Sequence, residues 1–414
     1  MQREDFGLYI HIPFCYSFCD YCDFFSAAAK KDDPRFDSFL KALVEDIKYQ
    51  IEFFNVKEIS TVYIGGGTPS VLGRRIKFLL DALKMLPGFS PVEFSIEANP
   101  ESADEEFLYL CRQGGINRLS LGVQTFHEPS RAAVNRSSRM DCAAGGMDCG
   151  AILQERLSLA SRFFPGSLSF DLITGLPFQN EEILLKDIER LLSFSPVHVS
   201  LYSLTIEKDT PLDEKIKNKT VVLPDAESAD SLWLSGRDAL INAGFCHYEA
   251  SNFAREGKIC LHNMRYWQMK NWLGAGPAAS GTIINSPGFP AAKRYTYSND
   301  IDSYIKKPSI HFAGSFAAGA VYEELDKLTL LQETLLMGFR CKEGPDPQLF
   351  KKRFGCEIEE CIPKTLERWK DKNIMLFLNR FLSEALSELA KPSSLKQPDF
   401  IDRPKSEYSA RGNQ

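Results

Sequence analysis

The chain reads as an α/β protein built on a parallel sheet, doubly wound or closed into an incomplete barrel, with a smaller, mainly helical C-terminal region. Three observations predict this. Six short segments rich in Val, Ile, Leu and aromatic residues each end in a polar or glycine-rich turn. Helical periodicities separate them, and strands alternating with helices make βαβ units. Residues suited to chemistry recur where the strands end, the place where such folds bind ligands.

The strand-like segments are LYIHI at 8–12, TVYIGGG at 61–67, VEFSIEANP at 92–100, RLSLGVQ at 118–124, SLSFDLITGLP at 167–177 and HVSLYSLTI at 198–206. After the first, Phe36, Phe39, Leu40, Leu43, Val44, Ile47 and Ile51 recur at three- and four-residue steps. They predict a helix over 34–54, with Pro34 in its first turn. Ser102 and Glu105 have the spacing of a capping box for the helix after the third strand, which Gly114 or Gly115 can close. From about 208 to 295 the pattern is mixed, with a helix near 225–243 and strand-like pieces around 247–285. Beyond about 300 it is mainly helical, in EELDKLTLLQETLLMGF and over 346–390. The polar, aperiodic end KPSSLKQPDFIDRPKSEYSARGNQ reads as a disordered tail. The expected organisation is a barrel core over 1–207, an extension over 208–299, a helical domain over 300–390 and a tail over 391–414.

Composition narrows the function. Net charge −6 and a pI near 5.7 point away from nucleic acid and anionic membrane surfaces as main partners. No apolar run approaches the roughly 20 residues that span a bilayer, and MQREDFG lacks the regions of a signal peptide. A cytoplasmic location is expected, from which a membrane-associated acceptor would also be met. Eleven scattered cysteines, an odd number, argue against a disulfide framework.

Cys15, Cys19 and Cys22 stand apart from the rest, as C-x3-C-x2-C directly after the first strand. Three thiolates are one fewer than close an ordinary iron–sulfur cluster or a structural zinc site. A metal centre they held would keep one position open for a substrate. No fourth Cys or His lies at finger-like spacing, which favours a site-differentiated [4Fe–4S] cluster over zinc. Gly65-Gly66-Gly67 ends the second strand, Glu97 the third and Gln124 the fourth, while Asp171 lies in the fifth. Each polar residue alone has an ordinary reading as a solvated or structural group; their recurrence at one end of the strands is the stronger signal.

The triad, with Tyr21 before its last cysteine and GGGTP after the next strand, resembles the radical S-adenosylmethionine superfamily. GGGTPS at 65–70, SIEANP at 95–100, GVQTF at 122–126, DLITGLP at 171–177, YEASNFA at 248–254 and HNMRYW at 262–267 resemble the branch holding oxygen-independent coproporphyrinogen III dehydrogenase and the HemW-type heme chaperone. The resemblance implies an incomplete (β/α)6 barrel, a [4Fe–4S] cluster on the three cysteines, and S-adenosylmethionine on the unique iron. An electron donor such as flavodoxin or ferredoxin is implied if the deoxyadenosyl radical forms. Contacts to S-adenosylmethionine are implied for Tyr9, for backbone at Gly66, Gly67 and Thr68, and for Glu97, Gln124, Arg136 and Asp171. Glycine lets the chain approach the methionyl ammonium; the two carboxylates suit ammonium and ribose hydroxyls, and Gln124 and Arg136 suit ribose and carboxylate.

Within the branch, the dehydrogenase pattern carries a further cysteine where this chain has Phe24, and a longer segment than the fourteen residues before Cys15. Both differences favour the heme-chaperone side, whose hallmark HNxxYW is present as His262-Asn263-Met264-Arg265-Tyr266-Trp267. Heme as cargo, heme-acceptor proteins as partners, and a monomer or homodimer are then implied. His262 is a candidate axial ligand, with Tyr266 and Trp267 on the porphyrin face; the ordinary alternative is a hydrogen-bonded histidine beside a core tryptophan. The alternative function is oxidative decarboxylation of coproporphyrinogen III, with radical methyl transfer a third. Two departures from the family pattern remain. An insertion of roughly ten residues bearing Cys142 and Cys149 follows Arg136, and Ser280 stands where the family often has a histidine.

Overall fold

The computed structural model describes residues 5–136, 149–284, 291–306 and 320–390. Cys142 and the expected tail lie outside them, and Cys149 is described only as the first residue of a helix.

All six strand-like segments form strands: β1 (Asp5–Ile12), β2 (Glu58–Gly66), β3 (Phe89–Ala98), β4 (Arg118–Gln124), β5 (Leu168–Thr174) and β6 (His198–Ser203). They lie side by side in sequence order and are parallel throughout. Helices Arg35–Phe53, Ile76–Lys84, Glu105–Gln113, Cys149–Phe163 and Glu181–Leu192 make the returns. The first buries the apolar stripe read from its periodicity, and Pro34 precedes it with φ −64°. The capping box is corrected by the structure. Asp104 caps the helix after β3, its carboxylate accepting from the Phe107 amide at 2.9 Å, whereas the Ser102 hydroxyl pairs with that of Ser70 at 2.6 Å. A carboxylate directly before the first helical residue reaches that amide from where it stands.

The sheet continues past both ends of the six. Beside β6 lie antiparallel β8 (Asn252–Ala254) and then β7 (Cys246–His247). Beside β1 lies parallel β9 (Trp272–Ala275), followed by antiparallel β10 (Ser280–Ile284), β11 (Ala292–Tyr297) and β12 (Ala320–Leu325). Among the described residues β7 and β12 do not pair, so the barrel stays open, in the incomplete (β/α)6 form. β12 falls in the stretch read as mainly helical; Glu323 and Glu324, weak strand formers, mask it. Helices Lys327–Gly338, Pro347–Phe354, Pro363–Trp369 and Leu378–Leu389 then pack around a second core.

Alternation along the strands sorts the residues. Leu8, Ile10, Ile12, Val62, Ile64, Phe94, Ile96, Leu119, Leu121, Phe170, Leu172, Val199 and Leu201 join the helices in the main apolar core. The alternate positions, on the concave side, hold Tyr9, His11, Thr61, Tyr63, Glu93, Ser95, Glu97, Ser120, Asp171, His198 and Ser200. The barrel interior is therefore polar and largely buried, and each of those groups requires a partner.

Candidate functional site

At the C-terminal end of the strands the triad loop is stapled back onto the sheet. Gly67 N–H donates to the Ile12 carbonyl at 2.9 Å and Thr68 N–H to that of Phe14 at 2.8 Å. Phe14–Cys15 pairs with Ala27–Ala28, and His11 Nε2 bonds the Phe25 carbonyl at 2.9 Å. Cys15 and Cys19 are buried and Cys22 is half-buried. Cys15 Sγ lies 3.2 Å from Thr68 Oγ1. Burial pushes the Cys22 thiol up to about 11, with Cys19 and Cys15 adding to it, so the three sulfurs are neighbours. Among the described residues no three His, Cys, Asp or Glu side chains converge on a single ion.

The glycines beside them are required by packing. Gly66 has φ +108°, and a Cβ there would lie 2.7 Å from His11 Nδ1. A Cβ on Gly67 would lie 2.7 Å from Phe14 O and 3.1 Å from Cys15 Sγ. Glu97 accepts from Tyr63 OH at 2.7 Å and Gly66 N–H at 3.3 Å, and burial raises its pKa to about 7. Asp171 accepts from Ser120 Oγ at 3.2 Å and is raised by burial to about 6. Tyr9 OH donates to His11 Nδ1 at 3.0 Å, and its ring stacks on Tyr63 at 6.4 Å. Gln124, at φ +69°, carries a buried Oε1 with no hydrogen-bond partner.

Arg136 is buried against the triad. Its Nη1 donates to Cys19 Sγ at 3.3 Å, and its Nη2 to Asn99 Oδ1 at 3.0 Å and to the Gly122 carbonyl. Burial alone would lower its pKa; the adjacent Cys19 sulfur and acidic neighbours reverse this and hold the guanidinium charged.

The HNxxYW run lies at the other end of the barrel. It forms a helix, Leu261–Trp267, placed by residues at the starts of the strands. Glu93 accepts from Leu261 N–H at 3.0 Å and His262 N–H at 2.9 Å, and pairs with Arg118 at 3.0 Å. Arg265 pairs with Asp5 at 2.7 Å. His262 is fully buried, with Nδ1 3.0 Å from Thr61 Oγ1, Nε2 2.8 Å from Tyr266 OH, and its ring stacked on Tyr63 at 5.5 Å. Burial, aided by the Arg265 charge, lowers its pKa to about 3.

The model of the radical SAM superfamily matches residues 9–191. The heme chaperone HemW of Escherichia coli (strain K12) is 34% identical over 398 residues, covering 92% of this chain and 98% of that protein. The chain belongs to the HemW family within the radical S-adenosylmethionine superfamily. Heme chaperone HemW of Lactococcus lactis is 31% identical over 362 residues, 87% of this chain and 88% of its own. A mouse relative, radical S-adenosyl methionine domain-containing protein 1, mitochondrial, is 32% identical over 343 residues, 82% of this chain and 74% of its own. The solved structure of coproporphyrinogen III oxidase (HemN) from Escherichia coli, described as a radical SAM enzyme, shares the fold: TM-score 0.74, 92% of this chain and 90% of that one, at 21% identity.

In this HemW-family chain the structure gathers Cys15, Cys19, Cys22, Gly66, Gly67, Thr68, Glu97, Gln124 and Arg136 at one barrel end. Tyr9 and Asp171 lie deeper on the concave wall. It does not bring His262 to them: both ring nitrogens are engaged at the opposite end, and the ring presents no nitrogen to an iron. Ser280 Oγ sits on β10, 2.7 Å from Thr296 Oγ1. Asn99 was not singled out by sequence reasoning. It bridges Arg136 and Thr68 Oγ1, the latter at 3.2 Å, and its place inside SIEANP was the available signal.

Proposed function

We propose that this chain is a cytoplasmic heme chaperone that holds a [4Fe–4S] cluster and S-adenosylmethionine at the triad end of the barrel and passes heme to acceptor proteins. The observation that carries the reading is the 34% identity to heme chaperone HemW over 98% of that protein's length. Phe24 supports it, since the dehydrogenase pattern has a cysteine there and this chain exposes a phenyl ring. Among the described residues no helix is long and apolar enough to cross a membrane.

The residues present fit both groups. Three neighbouring sulfurs without a fourth donor suit a cluster with one open iron, which when bound supplies that iron and single electrons. With the Gly67 and Thr68 amides already engaged, this backbone offers a ligand carbonyl oxygens, the acceptors an ammonium needs. Gln124 Oε1, buried and unpartnered, awaits a donor such as a ribose hydroxyl. Glu97 and Asp171 add acceptors from the barrel wall, and Tyr9 braces His11 under the triad loop. Arg136 neutralises charge at Cys19 and favours its thiolate. In this reading the cluster and cofactor regulate assembly between monomer and homodimer, and an electron donor is needed only if the radical forms.

The test is anaerobic reconstitution of the full chain, then heme titration, transfer to an apo-acceptor, and a parallel incubation with dithionite, S-adenosylmethionine and coproporphyrinogen III. A heme-induced Soret band followed by transfer is expected. Protoporphyrinogen IX formation without heme binding would overturn the reading in favour of the dehydrogenase.

A further inference from the structure

We infer that heme is seated away from the triad, in a cavity of about 460 Å³ at the free sheet edge β7, with Cys246 as its axial ligand. This rests on heme being the cargo. The cavity lies between the helix Ala226–Asn242, β7, and the turn around Leu376, with Lys342 closing one side. Its volume is within the roughly 300–1,000 Å³ of small-molecule sites.

The walls match a flat apolar macrocycle that carries two carboxylates. Ile241 and Leu376 are large apolar side chains left 44% and 38% exposed there, so an apolar occupant would cover surface this chain leaves wet. Two cations flank them. Lys342 is exposed and has no ion pair among the described residues. Arg237 spends Nε and Nη2 on Asp238, at 2.8 and 2.7 Å, and keeps Nη1 for a further acceptor. Both charges reach the same spot, because after burial they are among the causes that lower the pKa of the half-buried His247.

Besides the Met375 thioether, a neutral donor, two metal donors stand in this wall, and packing separates them. The His247 ring is stacked on Phe253 at 4.5 Å, nearly parallel to it, and edge-on to Trp233 at 5.6 Å. Cys246 is exposed, its thiol free, and it shares the cavity wall with both cations. On binding ferric heme the thiol releases its proton to solvent and its sulfur replaces a water on the iron; no electron moves. The HNxxYW histidine is left to its buried partners.

The test titrates ferric heme into the full chain and into Cys246→Ser and Arg237→Glu/Lys342→Glu, with urea midpoints checking the fold. A thiolate-type Soret band is expected for the wild type, a shifted band for Cys246→Ser, and a loss of affinity of about tenfold per reversed cation. An imidazole-type spectrum in the wild type overturns Cys246 as the ligand, and unchanged spectra and affinities in folded variants overturn the pocket, while heme binding stands. A wild type that binds no heme overturns the heme reading itself.

Discussion

Replacing His262 should cost stability and leave heme binding intact. In His262→Ala the hydroxyls of Thr61 and Tyr266 lose their partner inside the barrel, at about 1–3 kcal/mol each. The stacked contact with Tyr63 at 5.5 Å and the edge-on contact with Tyr266 at 5.1 Å are lost too, at about 0.5–1.5 kcal/mol each. Water entering the void re-pairs part of the hydroxyl loss, which brings the expected total to about 3–5 kcal/mol. His262→Phe keeps ring and volume and should cost only about 2 kcal/mol. Urea unfolding at neutral pH should rank wild type, Phe and Ala in that order by midpoint. The pH dependence gives an independent check. Folded His262 stays neutral down to about pH 3, while an ordinary histidine takes a proton near 6.5. Between these values the unfolded chain binds more protons, so stability present above 6.5 is lost as pH falls, at about 1.4 kcal/mol per unit. The slope should be shallower in the Phe variant by that amount. Full stability in the alanine variant, or loss of the Soret band in a folded variant, would refute the reasoning.

Three further outcomes follow from the geometry. Gly67→Ala places a Cβ 2.7 Å from the Phe14 carbonyl oxygen, so the backbone under Cys15 must shift; iron and sulfide retained after reconstitution should fall to less than half. Arg136→Met removes the charge 3.3 Å from Cys19 Sγ and strands Asn99 Oδ1; cluster yield should fall several-fold, read from iron–sulfur absorption, with only a modest change in urea midpoint. Asp46 accepts hydrogen bonds from Gln50, Tyr297 and Tyr304, and burial raises its pKa from 3.8 to about 7. The folded chain thus holds a proton that the unfolded one has lost, and the stability this gives at low pH declines by about 1.4 kcal/mol per unit as pH rises to about 7. Urea unfolding from pH 5 to 8 should show the stability of the wild type relative to Asp46→Asn falling by that amount.

The parallel strands were legible because their Val, Ile and Leu positions are set by packing against helices, a local demand repeated six times. Their other face was harder to read. Ser95, Ser120 and Ser200 alternate with apolar residues as solvent-facing positions would, yet they are buried inside the barrel. The i, i+4 spacing of His262 and Tyr266 already puts both on one helix face. Which end of the barrel that helix closes depends on Glu93, 168 and 169 positions before the amides it holds, and no local pattern contains that. The triad was plain in sequence, whereas Asn99 and Arg136 gain their meaning from contacts with Thr68 and Cys19 that only the folded loops create.

The strand before the triad, β1, is zipped on both sides, to β2 and to β9, where Leu8 faces Leu273. On a ribosome adding roughly 5–20 residues per second, the second neighbour arrives roughly 13–50 s after the first strand is made. Until then β1 is an unpaired edge and Cys15, Cys19 and Cys22 hang from an unfinished sheet. Iron delivered to the nascent chain would meet thiols without their scaffold. A chain ending before Trp272 keeps an open flank on β1, directly before Cys15, Cys19 and Cys22.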